Sequence, residues 1–303
     1  MRKEACFLSS DGHTRIHAIH WTPEGEIKAV LQIVHGMAEH IERYDEFASY
    51  LAERGVYVTG HSHLGHGKSM TGKEKMGYFA EPNGNQCLIE DIHQLRMETQ
   101  NQYLNTPYFI LGHSMGSFLL RQYLGMYGEG LTGAIIMGTG DQPDFVVKAG
   151  KIVCKVLAKF KGWEHRSNFV NSFVVGGFEK KMGKGWLSRN EENVRKYAKD
   201  PLSGFVFTLN AFYHMFDGMS KMNRQEKSAN IQKELPMFFV AGAEDPVGNN
   251  GKGVEMVYQR YLKKGAKNVE IKLYADDRHE ILKELDKAVV YQDIYRWIAN
   301  LIQ

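Results

Sequence analysis

A serine between glycines, a carboxylate far downstream and a histidine beyond it can together perform nucleophilic acyl transfer. Gly112-His113-Ser114-Met115-Gly116 supplies the serine. G-x-S-x-G between a strand and a helix is a nucleophile elbow, a turn so sharp that its flanking positions must be small. The apolar run Tyr108–Leu111 precedes it and the helical pattern Phe118–Tyr127 follows it, so both required neighbours are present. The serine oxygen then stands clear of the sheet at a helix N-terminus, where backbone N–H groups can stabilise an oxyanion. The five-residue pattern alone is common; its strand and helix give it weight.

A serine hydroxyl is a poor nucleophile until a base takes its proton, and that base needs an orienting carboxylate. In this arrangement the partners follow in the chain order serine, acid, histidine. Met237–Ala241 leads into Gly242-Ala243-Glu244-Asp245-Pro246, and Val269–Tyr274 leads into Ala275-Asp276-Asp277-Arg278-His279. Asp245 is the expected acid, with Glu244 its near competitor and ordinary turn chemistry the plain alternative for both. His279 is the expected base among 13 histidines, because it follows the last strand. A second oxyanion donor should come from the turn after an early strand. Ala29–Val34 ends in His35-Gly36-Met37-Ala38, so the N–H groups of Met37 and Met115 form the expected pair. His35, His40, His61, His63 and His66 invite a metal reading, but none belongs to an H-E-x-x-H and no cysteine lies close by. No metal and no cofactor is expected.

The elements that must position these residues alternate. Ile16–Trp21, Ala29–Val34, Val56–Thr59, Tyr108–Leu111, Ala134–Met137, Met237–Ala241 and Val269–Tyr274 read as strands. Arg43–Arg54, Ile89–Leu104, Phe118–Tyr127, Gly253–Lys264 and Lys287–Ile302 read as helices. Such alternation predicts an α/β fold with a doubly wound, mostly parallel sheet. The rhythm breaks between Asp141 and Leu235, a stretch of roughly 95 residues crowded with large apolar side chains. Phe145, Val147, Ile152, Val156, Phe160, Phe169, Phe173, Phe207 and Phe216 are among them. The expected organisation is a core of residues 1–140 and 236–303 with a mainly helical cap, or lid, at 141–235. Most of the apolar residues would form the cap's own core, and the surplus would cover a site beneath it.

Composition removes several classes. The chain of 303 residues carries 38 Lys+Arg against 35 Asp+Glu, a net charge of +3 without a long basic block, so no nucleic-acid footprint is present. No apolar run approaches the ~18 residues of a membrane span. The start MRKEACFLSSDG lacks the apolar stretch of a secretory signal. Cys6, Cys87 and Cys154 are too few and too scattered for a disulfide framework, and are expected as reduced thiols in a cytoplasmic protein.

HGMAEHIERYDEFASYLAERG, GHSHLGHGKS, GHSMGS, AGAEDP and RHEILKE together resemble the monoacylglycerol lipase and lysophospholipase group of α/β-hydrolases. The resemblance spans roughly residues 26–140 and 235–303 and is much weaker in the cap. It implies the α/β-hydrolase fold, Ser114 as nucleophile, Asp245 as acid, His279 as base, and Met37 and Met115 as oxyanion donors. One departure stands out: Ser62 occupies the place before His63 where such proteins usually carry an acidic residue.

The expected activity is therefore a serine hydrolase on small-molecule lipid esters, monoacylglycerols or lysophospholipids, working through an acyl-enzyme on Ser114. An exposed apolar rim on the cap would let it touch membranes or micelles transiently. A short-chain carboxylesterase or an aminopeptidase-like hydrolase would use the same scaffold. Against the peptidase, the first oxyanion turn reads H-G-M-A rather than the H-G-G-P-G of prolyl iminopeptidases. Dehalogenase and epoxide hydrolase chemistry would need a carboxylate at Ser114. A non-catalytic ligand receptor typically lacks a triad member, and here all three residue types are present.

Overall fold

Ala29–Val34 is buried at every position, as a β-branched run covered on both faces must be. In the computed structural model, which describes every residue except 71, 73–74, 229–231 and 303, it is a central strand of one eight-stranded sheet. The undescribed stretches fall inside the ranges expected for the core and the cap. The strands are β1 (Arg2–Leu8), β2 (Arg15–Trp21), β3 (Ala29–Val34), β4 (Val56–His61), β5 (Tyr108–His113), β6 (Gly133–Met137), β7 (Met237–Gly242) and β8 (Val269–Tyr274). Their order is β1-β2-β4-β3-β5-β6-β7-β8. All neighbours from β4 to β8 run parallel, while β2 runs antiparallel to both β1 and β4.

Alternate strand residues feed two hydrophobic layers. Val30 and Val34 face the side covered by α2 (Gly84–Gln102), α3 (Met115–Tyr127) and α9 (Lys252–Lys263). Leu31 and Ile33 face α1 (Asp45–Ala52) and α10 (Lys287–Leu301), through Phe47, Leu51, Ile294 and Trp297. The sheet is thus wound on both faces, as the alternation of elements predicts.

Between β6 and β7 the chain leaves the sheet and forms α4 (Asp144–Lys161), α5 (Asn168–Asn171), a π-turn at Ser172–Gly176, α6 (Gly177–Met182), α7 (Glu191–Lys199) and α8 (Leu209–Lys227). Three starts are capped by side chains: Ser167 Oγ accepts from the N–H of Val170, Asn190 Oδ1 from those of Glu192 and Asn193, and Thr208 Oγ1 from that of Ala211. Val147, Gly150, Cys154 and Ala158 form the buried stripe of α4 at helical spacing. It packs on α8, whose Phe216 ring lies where any side chain at Gly150 would have to go. A buried ion pair joins α8 to the core. Arg121 of α3 donates to both oxygens of Glu226 at 2.7 and 2.8 Å, and Arg260 of α9 donates to the same carboxylate at 2.9 Å. Among the described residues, no helix is long and apolar enough to cross a membrane.

Candidate active site

Ser114 forms the turn between β5 and α3 with φ 53° and ψ −120°, a conformation that costs a non-glycine residue about 1–3 kcal/mol. The sequence allows it because both neighbours two positions away are glycine. A Cβ on Gly112 would meet the Gly116 carbonyl oxygen at 2.4 Å, and one on Gly116 would meet that of Val34 at 2.0 Å. The strained turn is pinned from below by the Ser114 N–H, which donates to the Met137 carbonyl at 3.0 Å. Met115 opens α3, and the first N–H groups of a helix have no partner within it.

His279 and Asp245 follow the last two strands and meet. The imidazole Nδ1 lies 2.9 Å from Asp245 Oδ2, with the histidine 4% and the aspartate 0% exposed. Asp245 Oδ1 accepts from the Val247 N–H at 2.9 Å, so the carboxylate is held at both oxygens. Glu244 turns outward: its side chain is 51% exposed and lies 3.6 Å from Arg278. Ser114, His279, Met37 and Met115 all line one cavity of about 250 Å³, whose other walls come largely from the inserted segment, with Phe118 and Val247 from the core. Val146, Val147, Phe173, Val174, Met215 and Phe216 make one side of it apolar. Trp186 stands on the other, its ring 5.2 Å from that of His279.

The turn after β3 abuts the serine, since a Cβ on Gly36 would lie 3.1 Å from Ser114 Cβ. Histidines hold that turn in place. His35 Nε2 accepts from the His63 N–H at 3.0 Å while its Nδ1 donates to the Gly36 carbonyl at 2.8 Å. His66 Nε2 accepts from the Ala38 N–H at 3.3 Å while its Nδ1 donates to the Leu64 carbonyl at 2.9 Å. Both rings are therefore committed to backbone groups as neutral imidazoles, and burial lowers both of their pKa values, His66 to about 4. Among the described residues, the one set of three potential ligand atoms within reach of a single ion is Glu4, His17 and Glu42. There the Lys68 ammonium already lies 3.0 Å from Glu4 and 2.7 Å from Glu42. Ser62, the departure noted above, accepts from the Ile41 N–H at 3.4 Å, and its carbonyl accepts from Ser69 Oγ at 2.6 Å.

Behind the serine lies a polar group that belongs to none of the nucleophile, acid and base roles. Glu39 Oε1 accepts from the Gly36 N–H at 2.6 Å, from Tyr44 Oη at 2.9 Å and from His113 Nδ1 at 3.2 Å. His113 Nε2 in turn donates to the His279 carbonyl at 3.2 Å. Burial pulls the His113 pKa down, but the Glu39 carboxylate outweighs it and the net shift is upward. Arg43 donates to both oxygens of Glu280 at 2.7 and 2.8 Å and lies 3.4 Å from Glu39. The sequence signal for this group is H-G-x-x-E-H-x-x-R-Y, which sets Glu39 and Arg43 four residues apart with Tyr44 beside them.

The chain resembles known proteins over nearly its whole length. The chain is 26% identical to a monoglyceride lipase homolog of Monkeypox virus, covering 98% of this chain and 99% of that one. It is also 26% identical to the monoglyceride lipase of Rattus norvegicus, over 93% of this chain and 86% of the relative. A thermostable carboxyl esterase from Bacillus coagulans, solved in complex with glycerol, superimposes with a TM-score of 0.90 at 28% identity, covering 100% and 99% of the two chains. The fold is the α/β-hydrolase fold. The family described as serine aminopeptidase, S33 matches residues 25–286, and the chain belongs to that family.

Proposed function

We propose that the protein is a serine hydrolase that cleaves carboxylic esters of fatty acyl chains, monoacylglycerols foremost. The observation that carries the reading is the strained Ser114 sharing an apolar cavity with His279, whose imidazole is hydrogen-bonded to buried Asp245. Ser114 Oγ attacks the ester carbonyl as its proton passes to His279 Nε2, and the carbonyl oxygen becomes an oxyanion facing the N–H groups of Met37 and Met115. Collapse expels the alcohol, which takes the proton from His279, and leaves an acyl-enzyme. Water, deprotonated by the same imidazole, then releases the fatty acid. Each oxyanion donor is worth about 2.7–4 kcal/mol of barrier. The monoglyceride lipases among the relatives and the glycerol held by the Bacillus esterase support a glyceryl ester as substrate.

In this reading residues 1–140 and 236–303 are the hydrolase core and 141–235 the cap that receives the acyl chain. Phe145, Ile152, Val156 and Phe160 form an exposed apolar stripe along α4, which supports transient contact of the cap with membranes or micelles. We read the enzyme as cytoplasmic, with Cys6, Cys87 and Cys154 as free thiols. A fluorophosphonate probe followed by a hydrolysis panel tests the proposal. Labelling that disappears in Ser114→Ala, with monoacylglycerols turned over faster than lysophospholipids of equal chain length, is the expected result. Failure to label the folded wild-type protein would overturn it.

A further inference from the structure

Asp245 lies against the imidazole of His279, and the loop that carries this histidine is tied to the inserted segment as well as to the core. The carboxylate of Glu284 is fully buried. Its Oε1 accepts from the backbone N–H of Arg278, next to His279, and from that of Arg189, in the insertion, each at 3.0 Å. One oxygen atom thus joins the histidine loop to the segment opposite. The flanking bonds repeat the pattern. The Glu280 N–H donates to the Leu187 carbonyl at 2.7 Å, and Arg278 Nη1 to the Gly185 carbonyl at 2.8 Å. Asn193 Nδ2 donates to Glu280 at 2.6 Å, and Arg189 Nη2 to Asp277 at 2.5 Å. Both sequence neighbours of His279 are therefore bonded to residues 185–193.

We propose that Glu284 and Arg189 are positioning residues for His279, clamping its loop to the inserted segment and so holding the imidazole in register with Ser114. The inference rests on the ester hydrolase reading above. A carboxylate accepting from two backbone N–H groups makes charge-assisted bonds, the strong kind, and inside the protein no water replaces them. The clamp also divides the cavity wall. The rim that includes Trp186 is tied to the catalytic loop, while Val146, Phe173, Phe205 and Phe216 belong to other stretches of the insertion.

The test compares Glu284→Ala, Glu284→Gln and Arg189→Met in the full chain. It reads kcat and KM on a soluble nitrophenyl ester and the strongly deshielded proton resonance of the His279–Asp245 hydrogen bond. Glu284→Ala should lower kcat about 100-fold at unchanged KM and broaden or shift the resonance, because small misplacement of a reacting group has that effect. Glu284→Gln, which keeps an oxygen acceptor, should recover most of the loss. Arg189→Met keeps its backbone N–H and should show a smaller loss in the same direction. A folded Glu284→Ala with wild-type kcat and an unmoved resonance would overturn the proposal. Should that variant not fold, the same two unchanged readings in Arg189→Met would do so. The resonance needs no substrate, so a wild-type protein that hydrolyses no ester would refute the proposed function separately.

Discussion

Asp245 Oδ2 lies 2.9 Å from His279 Nδ1, whereas Glu244, its sequence neighbour, points to solvent and lies 3.6 Å from Arg278. Two adjacent carboxylates of the same charge are thus separated by a single alternation of the backbone. Asp245→Asn should lower kcat about 10⁴-fold, as loss of the orienting carboxylate does in other triads, while the protein stays folded. Glu244→Gln should leave the rate near wild type. Steady-state kinetics on one ester checks both, and the opposite ranking would reassign the acid.

Gly116→Ala should abolish soluble expression rather than merely slow the reaction. The added methyl would sit 2.0 Å from the Val34 carbonyl oxygen, and that atom belongs to the central strand. Backbone at the centre of a sheet cannot move aside, and overpacking is relieved only by distorting the strand. Thermal denaturation of whatever folds is the measurement, and a Tm near wild type would refute the argument.

Acid should destabilise the fold through its buried histidines. His61 is fully buried with neither ring nitrogen bonded, packed edge-on against Phe7 and His63, and burial lowers its pKa to about 3. Its folded value lies below its unfolded one, so the unfolded chain takes the proton first. The stability it contributes is intact above about pH 6.5 and is lost as pH falls toward 3. His61→Phe removes the titrating group and should flatten the decline between pH 6 and 4 by about 1.4 kcal/mol per pH unit. Denaturant midpoints measured at several pH values check the slope.

Asp277 should act in the opposite sense. Burial raises its pKa to about 7; Arg189 opposes the shift, while Asp286 and Glu284 add to it. The protonated form is the one the fold prefers, so its stabilisation is complete below about pH 4 and lost as pH rises through 7. Asp277→Asn mimics the neutral acid and should raise Tm at pH 8 while changing little at pH 4. A larger gain at pH 4 would show the sign to be wrong.

The exposed stripe on α4 gives a prediction about surfaces. Phe160 is 80% and Ile152 63% exposed, and Lys148, Lys155 and Lys159 are exposed on the same helix. The double variant Ile152→Ser, Phe160→Ser should reduce co-sedimentation with phospholipid vesicles while kcat/KM on a soluble short-chain ester stays the same. Equal sedimentation would refute a role for this face.

The sheet was legible in the sequence because its strands are short, apolar and separated by helical patterns. β1 was not: Arg2–Leu8 lies at the sheet's edge, mostly exposed, and opens on three charged residues, so its apolar run is only Ala5–Leu8. Ser114, Asp245 and His279 could be picked out as candidates because each follows a strand, in the chain order expected of a nucleophile, an acid and a base. Arg189 and Glu284 could not. They lie 95 residues apart and their importance arises from one shared hydrogen bond, which no local pattern records. Within the insertion, helix starts at Asn190 and Thr208 carried ordinary cap residues, yet dense apolar content masked the polar side of each helix. In the sequence Phe145, Ile152 and Phe160 are indistinguishable from a crowded interior or a rim, and only the three-dimensional arrangement shows them as a single outward stripe.

The inserted segment also bears on how the molecule assembles. Met137 of β6 pairs with Val240 of β7, so the sheet is completed only when a loop of about 100 residues closes, at an entropic cost of about 4 kcal/mol. That cost grows with the logarithm of length: doubling the loop adds only about 0.6 kcal/mol. The strands on either side therefore scarcely register whether the excursion between them is long or short. The part of the chain that supplies much of the cavity wall is the part whose length the fold constrains least, which leaves it free to lengthen, shorten or be exchanged while the sheet beneath it stays in place.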